Sequence, residues 1–421
     1  MMVVVVVAVV MTMTMMMMKS RMFVVAASLL ALSMAASVAM AQQQERTAEQ
    51  CANDLDVLRN AIVVNTPKKE ELQLECNMTY NPCEPGTEFR YRNPEERIAN
   101  FGPVEITCGT RQLLECDANG CLTQITLADL GLQVNGTMDL MAPFPSLKVL
   151  DIDGYCEFGA SVGGICVSEF NGTIAPFVDG VNKDLEYFSM RGTYLEGDTT
   201  SLSALKKLAH LDLFGNMELT GNLNEALGGA PGMEYLNLMS TCTQVDLKTV
   251  GSLEDLIFLN LHAWGAQPPR MGCPIVEGNL KEIKNLKKLQ YLDITNWESE
   301  GKLKDLSKMK ELVTLYVANF DGSLQVSGDL SDLKDLSELE TLSLNKLNVT
   351  MSYEDLKYFP QLTSLNVFEA GVTGDATVVC SMDKLNKLQL VGSGASCEEL
   401  VVMDDALGYT VPCLDTCSII S

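Results

Sequence analysis

Apolar residues fall along this chain in one recurring phrase. Leu-x-x-Leu-x-Leu, or a close variant, begins at Leu122, Leu147, Leu185, Leu208, Met233, Leu256, Leu289, Leu312, Leu339, Leu362 and Leu385. Successive starts lie 25, 38, 23, 25, 23, 33, 23, 27, 23 and 23 residues apart. Within the phrase, leucines alternate with other residues at the period of a short strand, leucines on one side and their neighbours on the other. A unit this short cannot bury its own apolar face, so neighbours must stack into one continuous core. The pattern therefore predicts eleven parallel strands side by side.

A second phrase follows the first, x-x-Gly-x-Leu or x-x-Gly-x-Ile. Examples are Asn171-Gly172-Thr173-Ile174, Thr220-Gly221-Asn222-Leu223, Glu277-Gly278-Asn279-Leu280 and Ser327-Gly328-Asp329-Leu330. Together the two phrases resemble the leucine-rich repeat family, and the second is similar to the L-x-G-x-I-P element of its plant-type extracellular class. The resemblance implies an α/β fold, a curved leucine-rich repeat solenoid of about eleven repeats. Its parallel sheet would line the concave face, between disulfide-bonded N- and C-terminal caps. The chain departs from the family in its asparagine ladder. Eight residues after the first leucine only Asn216 fills that slot, with Tyr155, Trp264, Trp297 or Phe320 in other repeats.

Residues 1–41 read as an export signal: basic Lys19 and Arg21, an apolar run from Met22 to Val38, and Ala39-Met40-Ala41 as the cleavage site. The Val- and Met-rich stretch before Met18 is either upstream of the true start or part of a longer signal-anchor. Residues 42–121 are expected to form a cysteine-containing N-terminal cap, with an amphipathic helix from Asp54 to Ile62 and a hairpin turn from Cys116 to Cys121. The solenoid takes 122–395 and a second cysteine-containing cap 396–421. No other run reaches the ~18–20 apolar residues that span a bilayer, so the expectation is a secreted chain with no stable membrane span once processed.

Fourteen cysteines, grouped in even numbers, agree with an oxidising compartment. The pairs Cys156–Cys166 and Cys242–Cys273 are expected; pairing within the caps stays open. Paired C-x-x-C spacings are absent from the sequence, so no zinc site is expected. With 55 acidic against 30 basic residues, a net −25, the chain would be repelled by a phosphate backbone, which excludes nucleic acid as a main partner.

Offsets within the phrase name the open face. Two residues after the first leucine stand Tyr187, His210, Tyr235, Phe258 and Tyr291 in consecutive repeats. Four after it stand Asp212, Asn237, Asn260, Asp293 and Tyr316, and six after it Arg191, Phe214 and His262. An aromatic stripe beside an amide and carboxylate stripe could stack on a sugar or pack on a peptide, with Asp and Asn fixing orientation. Two long steps, after Leu147 and Leu256, should place loops on one rim of the solenoid. Sequons stand at Asn77, Asn135, Asn171 and Asn348, marking a glycoprotein. Only two histidines, His210 and His262, occur, set two strands apart, and no catalytic motif accompanies them, so no enzyme activity, metal or cofactor is expected. The expected function is a secreted, non-catalytic recognition protein that binds an extracellular protein or polysaccharide through the concave face. The alternatives are a structural cell-wall or matrix component and the ectodomain of a membrane-anchored receptor-like protein.

Overall fold

The computed structural model describes residues 51, 54–65, 71–80, 111–128, 133–141, 144, 146–152, 156–157, 165–166, 169–179, 183–263, 277–296, 299–319, 324–368, 371–385, 387–391 and 400–402. The chain divides into two compact units, Met1–Gln50 and Cys51–Ser421, and every described residue belongs to the second. The proposed signal and nearly all of the C-terminal cap lie outside the described residues.

All eleven expected strands form. They make the core of a 13-stranded front sheet, running from Leu122–Thr126 through His210–Asp212, Tyr235–Asn237, Phe258–Asn260 and Tyr291–Asp293 to Lys387–Val391. Neighbours are parallel and in strict register: Leu211 lies opposite Leu236, Leu259 opposite Leu292, and Leu315 opposite Leu342. Each of these leucines is fully buried. The column is continuous because a single repeat offers leucines on one side only, and the next repeat supplies the atoms that cover them. Burying one leucine side chain is worth about 1.5–3 kcal/mol, and the gain recurs in each repeat.

The second phrase builds strands as well, a result that its glycine content did not suggest. Two five-stranded sheets line the back, Ile62–Asn65, Gln133–Thr137, Phe170–Thr173, Tyr194–Asp198 and Glu218–Thr220 in one, and Gly278–Asn279 to Gly371–Thr373 in the other. Isolated bridges Asn222–Gln244 and Asp246–Glu277 continue the pairing between them. Glycine is required where this strand turns inward. Gly278 has φ +142°, and a Cβ there would lie 2.6 Å from the Leu247 Cβ. The next residue caps a 3-10 turn: the Asn279 carboxamide accepts from the Lys281 amide at 3.1 Å while Glu282 reaches back to the Asn279 amide at 3.2 Å.

At the N-terminal end, the helix Asp54–Ala61 buries Leu58 and Ala61. Disulfides Cys51–Cys121 and Cys76–Cys116 tie this region to the first front strands. The hairpin Leu114–Cys116 against Leu122–Thr126 covers the open end of the leucine column, and the Asp117 carboxylate holds its turn by accepting from Asn119 and Cys121 amides at 2.8 and 3.0 Å. Cys156 and Cys166 sit opposite each other in a short antiparallel pair; their side chains lie outside the described residues. Cys242 is disulfide-bonded, while Cys273 lies outside the described residues.

The weak asparagine ladder has a physical substitute. Asn216, buried, donates to the Met190 and Leu213 carbonyls at 2.6 and 3.0 Å and accepts from the Leu195 amide at 2.9 Å. Elsewhere the Thr241 hydroxyl donates to the Leu238 carbonyl at 2.9 Å, and the Asn296 side-chain Nδ2 to the Ala263 carbonyl at 3.1 Å. Turn carbonyls under the sheet are therefore satisfied by hydroxyls and by asparagines displaced from the family slot.

Truncating the column should be costly wherever it is made. Leu259→Ala is expected to lose about 2–5 kcal/mol in urea unfolding, and an exposed change just before the same strand, such as Glu254→Ala, less than about 0.5 kcal/mol.

Candidate functional site

Strict register on the front sheet does to the aromatic stripe what it does to the leucines. Tyr187, His210, Tyr235, Phe258 and Tyr291 stack face to face across five strands, with ring centroids 3.8, 4.0, 4.2 and 4.3 Å apart and interplanar angles between 8° and 13°. The spacing is shorter than the ~4.8 Å between strands, so the rings converge relative to the backbones that carry them. Phe258 and Tyr291 are buried in it, each 3% exposed; Tyr187, His210 and Tyr235 are half-buried. The sequence reading expected these rings to turn their faces to a ligand. Instead the inner faces are turned to one another, and only Tyr187, His210 and Tyr235 keep part of their surface open. Each stacked pair adds about 0.5–1.5 kcal/mol beyond area burial, so the row is also a structural spine.

The polar stripe is similarly occupied. Asp212, Asn237, Asn260 and Asp293 are buried between the aromatic row and the row beyond it. Each accepts a hydrogen bond from the backbone amide two residues on: Phe214 at 3.0 Å, Met239 at 3.2 Å, His262 at 3.1 Å and Thr295 at 3.0 Å. A short amide or carboxylate at this place ties off the amide where the strand ends and the chain turns, which is why Asp and Asn recur there. Asp212 does more, accepting from the Tyr235 hydroxyl and the Asn237 side-chain Nδ2, both at 3.1 Å. Sequence offsets located these residues correctly and could not tell that their second hydrogen-bonding atoms turn along the sheet.

The outer row carries Arg191, whose guanidinium lies 4.9 Å over the Phe214 ring, and His262, whose Nδ1 is 3.2 Å from an Asp293 carboxylate oxygen. Phe214 is itself buried at 5% exposure. Arg191, His210, His262, Tyr187, Tyr235 and Tyr316 are thus the expected ligand-face residues that keep solvent contact.

The stack ends at Tyr291 for a definite reason. The next strand offers Thr314, and its aromatic residue, Tyr316, stands two places later and meets Tyr291 tilted at 54° with centroids 6.0 Å apart. The Tyr291 hydroxyl is buried there without a hydrogen-bond partner. Burial, with the Asp293 carboxylate nearby, pushes its ionisation well above the ordinary phenol range. The same two causes raise Tyr316 to about 12. Among the described residues no group of acids, histidines and cysteines is arranged to hold a metal ion, and no helix is long and apolar enough to cross a membrane.

No protein-family model and no curated protein matches the sequence. Solved structures do. The ectodomain of the Arabidopsis receptor kinase HAESA, in complex with an N-terminally extended IDA peptide hormone, is similar over 81% of this chain and 53% of its own length, with TM-score 0.51 at 17% identity. The Arabidopsis thaliana GASSHO1/SCHENGEN3 ectodomain matches over 66% of this chain and 31% of its own, with TM-score 0.47 at 20% identity. A Listeria monocytogenes internalin matches over 60% and 64%, with TM-score 0.41 at 19% identity. This chain therefore spans less than two thirds of each of these three structures. At such identities the likeness establishes the leucine-rich repeat fold.

Two outcomes follow from the ladder. Phe258→Ala should lose about 3–5 kcal/mol in urea unfolding, whereas Tyr291→Phe, which removes an unpartnered buried hydroxyl, should cost nothing or stabilise by about 1 kcal/mol. Alkali should also find the ladder. Below pH 10 Tyr316 is neutral in folded and unfolded chains alike; from pH 10 to about 12 only the unfolded chain ionises, so folded-state stability falls across that window. Tyr316→Phe should flatten part of that fall in thermal melts taken between pH 9 and pH 12.

Proposed function

We propose that this protein is an extracellular, non-catalytic recognition module that binds a peptide or protein segment across the front sheet between Tyr187 and Tyr316. One observation carries the reading. The Tyr291 hydroxyl, buried and unpartnered at the end of the stack, sits near the half-buried Tyr316 and the buried Asp293, whose carboxylate meets the half-buried His262. A buried hydroxyl left without a partner costs about 1–3 kcal/mol, a cost that binding would remove where the ligand shifts the neighbouring Tyr316 ring and so reaches the hydroxyl. The aromatic ladder below supplies a rigid floor, so little order is lost on binding.

A peptide suits this floor better than a sugar, because sugar stacking needs open ring faces and the inner faces here are taken. Peptide backbone and side-chain groups, by contrast, can address ring edges, Arg191 and His262 by hydrogen bonding. The HAESA ectodomain, which has the same fold, holds a peptide hormone. The disulfides Cys51–Cys121 and Cys76–Cys116 support an oxidising, extracellular setting, reached by export and cleavage after Ala41. The net charge of −25 argues for partners other than nucleic acid.

A phage-displayed library of random linear peptides, selected on the secreted chain, tests this reading. Wild-type protein should enrich a related set of sequences. Arg191→Ala and Tyr316→Ala should weaken binding of that set by about 10-fold or more at a temperature where both variants remain folded. Failure to enrich any set, together with binding on an oligosaccharide array that survives both substitutions, would reject the peptide reading and the site with it.

A further inference from the structure

Large apolar side chains exposed on the described surface are few: Val63, Leu140, Tyr194 and Met217. Two of the four stand in one back sheet, and each is the direct cross-strand neighbour of a sequon asparagine. Tyr194, 55% exposed, pairs with Asn171 in parallel register. Val63, 40% exposed, pairs with Asn135 in antiparallel register. The sequons are Asn171-Gly172-Thr173 and Asn135-Gly136-Thr137. Since Asn135 and Asn171 belong to adjacent paired strands, the four side chains share one outer surface.

We propose that Asn135 and Asn171 carry N-linked glycans whose first sugars pack on Val63 and Tyr194, making this sheet a sugar-covered face. The inference rests on the extracellular reading above and adds to it which surface is modified and what the sugar does there. The chemistry fits the atoms. Transfer joins the asparagine Nδ2 to C1 of the N-acetylglucosamine of a lipid-pyrophosphate-linked oligosaccharide; the C1–O bond breaks, lipid pyrophosphate leaves and the amide gives up one proton. Nδ2 is the atom required, and at Asn135 the structural hydrogen bond uses Oδ1, which accepts from the Glu169 amide at 3.1 Å. Asn171 is exposed.

The geometry then brings sugar and side chain together. Paired residues on adjacent strands lie about 4.8 Å apart with side chains on the same face, so the first sugar on Asn171 starts beside the Tyr194 ring. The C–H face of N-acetylglucosamine removes ring surface from water, the same driving force that buries any apolar side chain. Isolated exposed apolar residues need no special cause, but the coincidence of two with the two sequon partners does. The other sequons lack this arrangement. Asn348, also exposed, pairs with Ser327, and Asn77 lies in a turn with φ 57° and no strand partner.

Full-length chain secreted from a eukaryotic host provides the test, by glycopeptide mass spectrometry and a thermal double-mutant cycle. Asn135 and Asn171 should be occupied. Asn171→Gln should lower the melting temperature by about 1–2 °C when Tyr194 is present and leave it unchanged in Tyr194→Ala protein. Asn135→Gln should couple in the same way to Val63→Ser, and Asn348→Gln should be additive with Tyr194→Ala. An exported protein with Asn171 unmodified, or occupied with additive effects, would overturn the proposal and leave the extracellular reading intact. A chain that is not exported, with all four sequons empty, would remove both.

Discussion

Register is the constraint on which everything else in this protein rests. A repeat has leucines on one side and nothing of its own to cover them, so the core exists only where repeats lie residue for residue beside one another. Leu211, Leu236, Leu259 and Leu292 form one buried line because their strands do not slip. Slipping by one residue would turn each leucine to the open face, a change that no single repeat could absorb. The capping asparagines and aspartates of the back turns, such as Asn279 and Asp329, fix where each back strand ends, so the longer steps between some repeats are taken up without shifting the register of the front strands.

The same constraint shapes the surface. Whatever occupies a given offset in successive repeats is brought into contact, whether or not contact serves a ligand. Rings at one offset become a stack; carboxylates and amides at another become a line of strand-end caps. The features that distinguish one part of the front sheet from another are thus departures from the repeat: the turn of Tyr316 across Tyr291, the pairing of His262 with Asp293, and Arg191 over Phe214.

Much of this was legible in the sequence, and the limits are physical. Periodicity alone located all eleven strands, because leucine spacing is dictated by burial. Offsets named the aromatic and polar rows of the front sheet. Sequence could not give the second hydrogen-bonding atom of Asp212 or the orientation of the Phe258 ring, since both are set by neighbours twenty or more residues away. Ring faces were expected to be open, and the short centroid spacing closes them. Back strands were missed because their glycines depress strand propensity, while the pairing partner that stabilises them comes from the next repeat. The coincidence of sequons with exposed apolar side chains was invisible for a similar reason: Asn171 and Tyr194 become neighbours only once the strands are paired.

The ladder has a bearing on how such a chain grows. A repeat copied into the middle of the solenoid brings its own ring at the same offset, and the new ring enters the stack without any adjustment in the repeats on either side. Length in this architecture is therefore heritable in whole steps, and the aromatic row lengthens with it. The row stops where one repeat, carrying Thr314 in place of a ring, broke the series. The buried, unpartnered hydroxyl of Tyr291 stands at that break. The end of the aromatic row and the buried hydroxyl that lacks a partner thus occupy the same spot, because a ring at the end of a stack has a neighbour on one side only.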